Sequence, residues 1–229
     1  MSSGSAGVGE LLTLTVDAQT QVSARWLAPA GARLTYVLAH GAGAGMEHPF
    51  MRAVASELAA LQVATLRYQF PYLERGAKRP DPPPLCHATV RAAVARAQLL
   101  AGPGVLVAGG RSFGGRMTSQ AQALQPLPGV RALAFLGFPL HPAGKPAQER
   151  ARHLAHIQLP MLFVQGTRDA LAEPALLQQT VTALGARARI YWVNDADHAF
   201  HVPARSGQKD AQVRGALLAA LTAWMEALS

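Results

Sequence analysis

The sequence predicts an α/β protein built on a doubly wound, mainly parallel sheet. Three observations carry this reading: six short apolar segments recur without clean alternation, amphipathic helical segments separate them, and two alternating segments precede the first of them. Apolar runs that lack a two-residue period are what strands buried on both faces look like. Helices between such strands supply the crossovers that parallel pairing requires.

Taken in order, LLTLTV at 11–16 and QVSARWL at 21–27 alternate, and so predict an N-terminal antiparallel hairpin with one solvated face. The apolar strands follow as LTYVLA (34–39), VATLRY (63–68), GVLVAG (104–109), RALAFLG (131–137), PMLFVQG (160–166) and RIYWVN (189–194). Between them, Phe50, Val54, Leu58 and Leu61 share one helical face, as do Val90, Val94 and Ala97, and then Leu176, Leu177, Val181 and Leu184. The C-terminal stretch with Val213, Leu217, Leu221, Trp224 and Leu228 gives the clearest amphipathic pattern. Two connections are longer than the architecture needs. The first, 68–85, holds five prolines and cannot be helical through its middle, and the second, 138–159, has room for one short helix near its end. Neither is large enough for a domain of its own, no repeat or low-complexity linker occurs, and one domain over 1–229 is expected.

Half of the 229 residues are apolar and 15% are charged, a globular balance that excludes a disordered chain. The net charge of +8 raises nucleic-acid or membrane-surface binding. It comes, however, from 18 Arg and 3 Lys scattered without a basic block, a pattern closer to GC-rich codon usage than to a phosphate track. Neither nucleic acid nor membrane is therefore expected as a partner. No apolar run approaches the roughly 20 residues of a membrane span, the opening MSSGSAGVGELL lacks the basic start of a secretion signal, and a single cysteine, Cys86, excludes an internal disulfide. These features fit a soluble, cytoplasmic protein.

In such a sheet, reactive groups collect where the carboxyl ends of several strands meet. The strand at 104–109 runs into Gly110-Arg111-Ser112-Phe113-Gly114, a G-x-S-x-G pattern. The strand at 160–166 runs into GTRD, placing Asp169, and the strand at 189–194 into DADHAFH, placing His198. A serine hydroxyl needs an adjacent base to take its proton, and the base needs a carboxylate to fix its tautomer. Ser112 as nucleophile, His198 as base and Asp169 as orienting acid meet both needs. Asp195 and Asp197 compete for the acid role and His201 for that of the base. A carboxylate from a separate strand end can approach the imidazole from behind, which an immediate neighbour such as Asp197 does less readily.

The chain order Ser, Asp, His, with the serine on a strand-to-helix turn, resembles the α/β-hydrolase fold, and the resemblance spans nearly the whole chain. It is most similar to the small members with little or no cap, the dienelactone-hydrolase-like and carboxylesterase-like proteins. The stretches HGAGAGMEHPFM (40–51), LGFPLHPAGKP (136–146) and LFVQGTRD (162–169) further resemble a subgroup of predicted bacterial hydrolases whose eukaryotic relatives include a chromatin-complex subunit. The resemblance implies a nucleophile elbow at Ser112, with Gly110 and Gly114 small because backbones come close there. It also implies an oxyanion hole formed by the backbone N–H groups of Phe113 and, from HGAGAG, Ala42, with His40 bracing that loop. Dienelactone hydrolases proper use a cysteine where this chain has Ser112, which argues against dienelactone as the substrate.

Other chemistries fit less well. HGAGAG lacks the last glycine of G-x-G-x-x-G, since position 46 is Met46, and no G-x-x-x-x-G-K occurs. His153 and His156 have no third ligand at helical spacing, so no metal is expected. The expected function is cleavage of a carboxylic ester or thioester of a small molecule through an acyl-enzyme, with no cofactor. Tyr68, Phe70 and Tyr72 are expected to offer a wall for an acyl or aromatic group, and Arg111, with Arg168 nearby, a contact to an anionic one. Two alternatives stay open: a non-catalytic scaffold of the same fold that binds a partner, and a peptidase of the same fold. The oligomeric state is not legible in the sequence.

Overall fold

The computed structural model describes residues 9–228. Eight strands form one sheet: β1 (Glu10–Thr15), β2 (Gln21–Leu27), β3 (Leu34–Ala39), β4 (Val63–Tyr68), β5 (Val105–Arg111), β6 (Val130–Leu136), β7 (Met161–Gly166) and β8 (Ala188–Val193). Their spatial order is β1-β2-β4-β3-β5-β6-β7-β8. The β1–β2 and β2–β4 pairs are antiparallel and the others parallel, so the N-terminal hairpin extends one edge of a parallel sheet.

The helices are α1 (Pro49–Ala60), α2 (Pro71–Glu74), α3 (Pro83–Leu100), α4 (Phe113–Leu124), α5 (Pro174–Leu184) and α6 (Asp210–Glu226). Four of them begin on proline, whose fixed φ suits the first helical position and whose missing N–H would have had no intrahelical acceptor there. The five-proline connection is thus helical at both ends and irregular at 75–82 between them.

Side chains of successive strand residues leave opposite faces of the sheet, and the core divides accordingly. Tyr36, Leu38, Val105 and Val107 pack with Met51, Val54 and Leu58 of α1 and with Val213, Leu217, Leu221 and Met225 of α6. Val37, Ala39, Leu106 and Ala108 pack on the other face with Val90 and Val94 of α3, Met117 and Ala121 of α4, and Leu177 and Val181 of α5. All six residues of β3, of β4 and of β7 are buried, as two covered faces demand. The 3₁₀ segment Glu149–His156 packs with Ala151 and Leu154 into this second core. Its His153 Nε2 lies 2.8 Å from Ser119 Oγ of α4. That contact holds the β6–β7 connection down against α4. Among the described residues, no helix is long and apolar enough to cross a membrane.

Candidate active site

Ser112 stands between the last residue of β5 and the first of α4, at φ 48° and ψ −115°, a conformation that an L side chain adopts only under constraint. The constraint is the close fit of β5 to its neighbour β3. A Cβ on Gly110 would lie 2.2 Å from Ala39 O, and one on Gly114 would lie 2.5 Å from His40 O. Both glycines are therefore dictated by the β3 backbone and its continuation. The turn leaves the serine hydroxyl facing the loops at the carboxyl edge of the sheet.

Three strand ends converge there. His198 Nε2 lies 2.9 Å from Ser112 Oγ, and His198 Nδ1 lies 2.7 Å from Asp169 Oδ2. A carboxylate can only accept, so Nδ1–H donates to Asp169 and Nε2 accepts from the serine hydroxyl. The Asp169 side chain is fully buried and that of His198 is 24% exposed, which places the carboxylate behind the ring and the imidazole at the surface of a cleft. Asp197 is occupied otherwise: its Oδ1 accepts from Ala199 N at 2.7 Å and His201 N at 2.9 Å, organising the loop that carries His198. His201 turns outward to Asp210, with Nδ1 to Oδ2 at 2.8 Å. Arg168, next to Asp169 in the chain, is exposed.

Sequence reasoning missed Gln165. This fully buried residue of β7 donates from Nε2 to Asp169 Oδ2 at 2.5 Å, while its Oε1 accepts from Phe138 N at 2.8 Å. Leu171 N donates to Asp169 Oδ1 at 2.8 Å, so both carboxylate oxygens are held by fixed donors. The only signal in the sequence is one amide in an otherwise apolar strand.

The loop 40–47 faces Ser112 and is pinned from beneath. The His40 ring is buried; its Nε2 accepts from Phe70 N at 3.1 Å, so Nδ1–H donates to Gly41 O at 2.7 Å. Burial lowers its pKa to about 4, which keeps the ring neutral as these two bonds require. Gly43 N donates to Tyr72 Oη at 3.0 Å, Met46 N to Gln69 Oε1 at 2.9 Å, and Arg67 Nη1 to Met46 O at 2.9 Å. Ala44 N is taken by Gly41 O. Ala42 is exposed on the cleft, and Phe113 opens α4, where the first N–H groups have no intrahelical acceptor.

The expected aromatic wall is not in the cleft. Tyr68, Phe70 and Tyr72 are each 0% exposed: Tyr68 ends β4, both faces of which are covered, and the short helix α2 turns the chain inward and buries the other two rings. Phe70 packs edge-on against both His40, at 5.0 Å, and Phe113, at 5.4 Å. These residues form the floor under the loop 40–47 and the turn at Ser112. The cleft itself, about 480 Å³, is lined by Gly41 to Ala44, His48, Arg111, Ser112, Leu171 and His198. Arg111 does reach it. A second serine–histidine contact, between Ser119 and His153, is no counterpart of the first: Ser119 is buried in mid-helix, and its hydroxyl also bonds Arg116 O at 2.9 Å. Among the described residues, no group of three or more His, Cys, Asp or Glu could hold a metal ion.

The sequence profile of the alpha/beta hydrolase domain matches residues 32–226. Similar solved structures include a serine hydrolase without lid from Xanthomonas campestris, 20% identical over 95% of each chain, with a TM-score of 0.73. An alpha-beta serine hydrolase homologue from Coxiella burnetii is 19% identical over 93% of this chain and 98% of that one, with a TM-score of 0.73. A dienelactone hydrolase from Anabaena variabilis is 20% identical over 94% and 95%, with a TM-score of 0.72. At these identities the likeness is one of fold.

Proposed function

The chain belongs to the alpha/beta hydrolase family, and on that footing we propose that it is a serine hydrolase cleaving a carboxylic ester or thioester of a small molecule. The observation that carries the reading is the unbroken line of contacts from Asp169 through His198 to Ser112 Oγ, at 2.7 and 2.9 Å, opening on a cleft.

Ser112 Oγ attacks the carbonyl carbon while its proton passes to His198 Nε2. Asp169 stabilises the resulting imidazolium and holds its ring in place. Negative charge on the former carbonyl oxygen is met by the N–H groups of Phe113 and Ala42. Ala42 is favoured within its loop because the Gly43 and Ala44 amides are committed to Tyr72 Oη and Gly41 O. The tetrahedral species collapses, the alcohol or thiol leaves with the proton from Nε2, and an acyl group remains on Ser112. Water then repeats the sequence, giving its proton to His198 and releasing the carboxylic acid. Every proton is moved by a side chain of this protein, and no step calls for a cofactor.

The β6–β7 connection lies against α4 and leaves the cleft open, which suits small acyl groups and modest selectivity. The test is labelling by a fluorophosphonate probe, together with turnover of short and medium p-nitrophenyl esters by the wild type and by Ser112→Ala. Labelling and turnover lost in the variant are expected. A wild type that neither labels nor exceeds the variant on any ester would overturn the proposal.

A further inference from the structure

Arg111 is the last residue of β5, directly before the nucleophile. Its guanidinium faces two ways. Nη2 donates to the backbone carbonyl of His198 at 3.2 Å, and the guanidinium carbon lies over the Phe50 ring at 4.6 Å from its centre. Phe50, in the first turn of α1, in turn stacks on Phe200 with centroids 6.0 Å apart and planes 12° from parallel. His198 and Phe200 belong to one loop, so the residue before the nucleophile grips the base's loop twice: once through the carbonyl, and once through the ring stack.

That loop requires an outside hold. Asp195 and Phe200 both have left-handed backbones, at φ 58° and 59°, a conformation costly for residues with side chains and kept only when contacts around it insist. Thr167 Oγ1, accepting from Asp195 N at 2.9 Å, and the Asp197 carboxylate, accepting from Ala199 N and His201 N, shape the loop from within and from β7. Besides the His198–Ser112 hydrogen bond itself, the Arg111 bond, and the Phe50 stack acting through Arg111, tie the loop toward the strand that carries Ser112.

We propose that Arg111 is a positioning residue: it fixes the distance between His198 Nε2 and Ser112 Oγ by tying the base's backbone to the nucleophile's own strand end. The inference rests on the hydrolase reading above. Arginine suits this task because a planar cation can stack on an aromatic face and donate from its edge at the same time, whereas a lysine ammonium on a flexible stem cannot do both in one fixed geometry. This role differs from the anion contact expected from sequence: the guanidinium reaches the cleft, yet its observed partners are a carbonyl and a ring.

The test compares the wild type, Arg111→Lys, Arg111→Met and Phe50→Leu on a neutral ester, p-nitrophenyl acetate, and an anionic one, mono-p-nitrophenyl succinate. A positioning role predicts that kcat falls on both esters by the same factor, on the order of 10- to 100-fold for Arg111→Met, with KM within about twofold of the wild type. Arg111→Lys should recover only part of that loss. Phe50→Leu, which leaves the arginine in place and loosens the stack, should lower kcat on both esters in the same way by a smaller factor. It also answers the question if Arg111→Met does not fold. A rise in KM confined to the anionic ester would make Arg111 a substrate contact and overturn the proposal, as would unchanged kcat in Arg111→Lys and Phe50→Leu. A wild type that turns over neither ester and does not label at Ser112 overturns the hydrolase reading and this one with it.

Discussion

Replacing Asp169 by Asn tests the site at its most constrained point. In the native structure one carboxylate oxygen accepts from Leu171 N, and the other accepts from Gln165 Nε2 and His198 Nδ1. Gln165 cannot turn its amide around, because its oxygen is held by Phe138 N–H. An asparagine that points its oxygen at Leu171 N therefore sets its NH₂ against the Gln165 NH₂. The opposite rotamer sets the NH₂ against the Leu171 N–H. The first rotamer also donates to His198 Nδ1, moving the ring proton to Nε2, where the base can no longer accept from Ser112. A wrong tautomer of this kind costs on the order of 10⁴ in kcat. Two buried donors forced together cost roughly 1–3 kcal/mol, and each kcal/mol corresponds to about 2–4 °C of Tm in a chain of this length. The double variant Asp169→Asn with Gln165→Glu separates the two effects. A glutamate at 165 would still accept from Phe138 N and would also accept from the new amide, so at least half of the lost Tm should return while activity does not. The assay is p-nitrophenyl ester turnover beside thermal unfolding at pH 7. A single variant retaining more than about a tenth of wild-type kcat, or a double variant less stable than the single, would refute the reasoning.

Two further outcomes follow from the same geometry. Ser112→Gly removes the side chain from a backbone at φ 48° and ψ −115°, and should raise stability by roughly 1–3 kcal/mol while abolishing turnover; urea unfolding with an unchanged or lower midpoint would contradict the strain argument. Acid should weaken the fold through His40, whose folded pKa of about 4 lies below the ordinary 6.5. The unfolded chain takes up that proton below about pH 6.5 and the folded chain does not, so stability falls as pH drops through this window, by about 2 kcal/mol from pH 7 to 5. His40→Gln, which keeps a donor for Gly41 O and an acceptor for Phe70 N, should flatten that fall in urea titrations at the two pH values; an equally steep fall would assign it to other groups.

The sheet was legible because parallel strands buried on both faces leave continuous apolar runs, and each run coincides with an observed strand to within two residues. The juxtaposition of Ser112, Asp169 and His198 was legible for a related reason: all three follow strand ends, and the topology brings strand ends together. Gln165 was not, since its role depends on Phe138 and Asp169 flanking it in space, and one amide within MLFVQG carries no spacing signal. The aromatic residues of the five-proline connection misled for a different reason. Tyr68, Phe70 and Tyr72 would be equally apolar in a pocket wall or in a core, and the covered faces of β4 and the inward turn of α2 decide between them. Arg111 lay beside Ser112 in plain view, but its partners, Phe50 and the His198 carbonyl, come from elsewhere in the chain.

The docking of the β6–β7 connection on α4 has an engineering consequence. Its anchoring residue His153, bonded to Ser119 of α4, and the buried Ala151 and Leu154 lie near its C-terminal end, whereas Pro142 to Pro146 form a solvent-exposed tip. Exposed tips with few tertiary bonds are where added chain is tolerated. A helical hairpin grafted there would add a roof over the cleft by insertion alone, while the anchor, the turn at Ser112 and Asp169 keep their places.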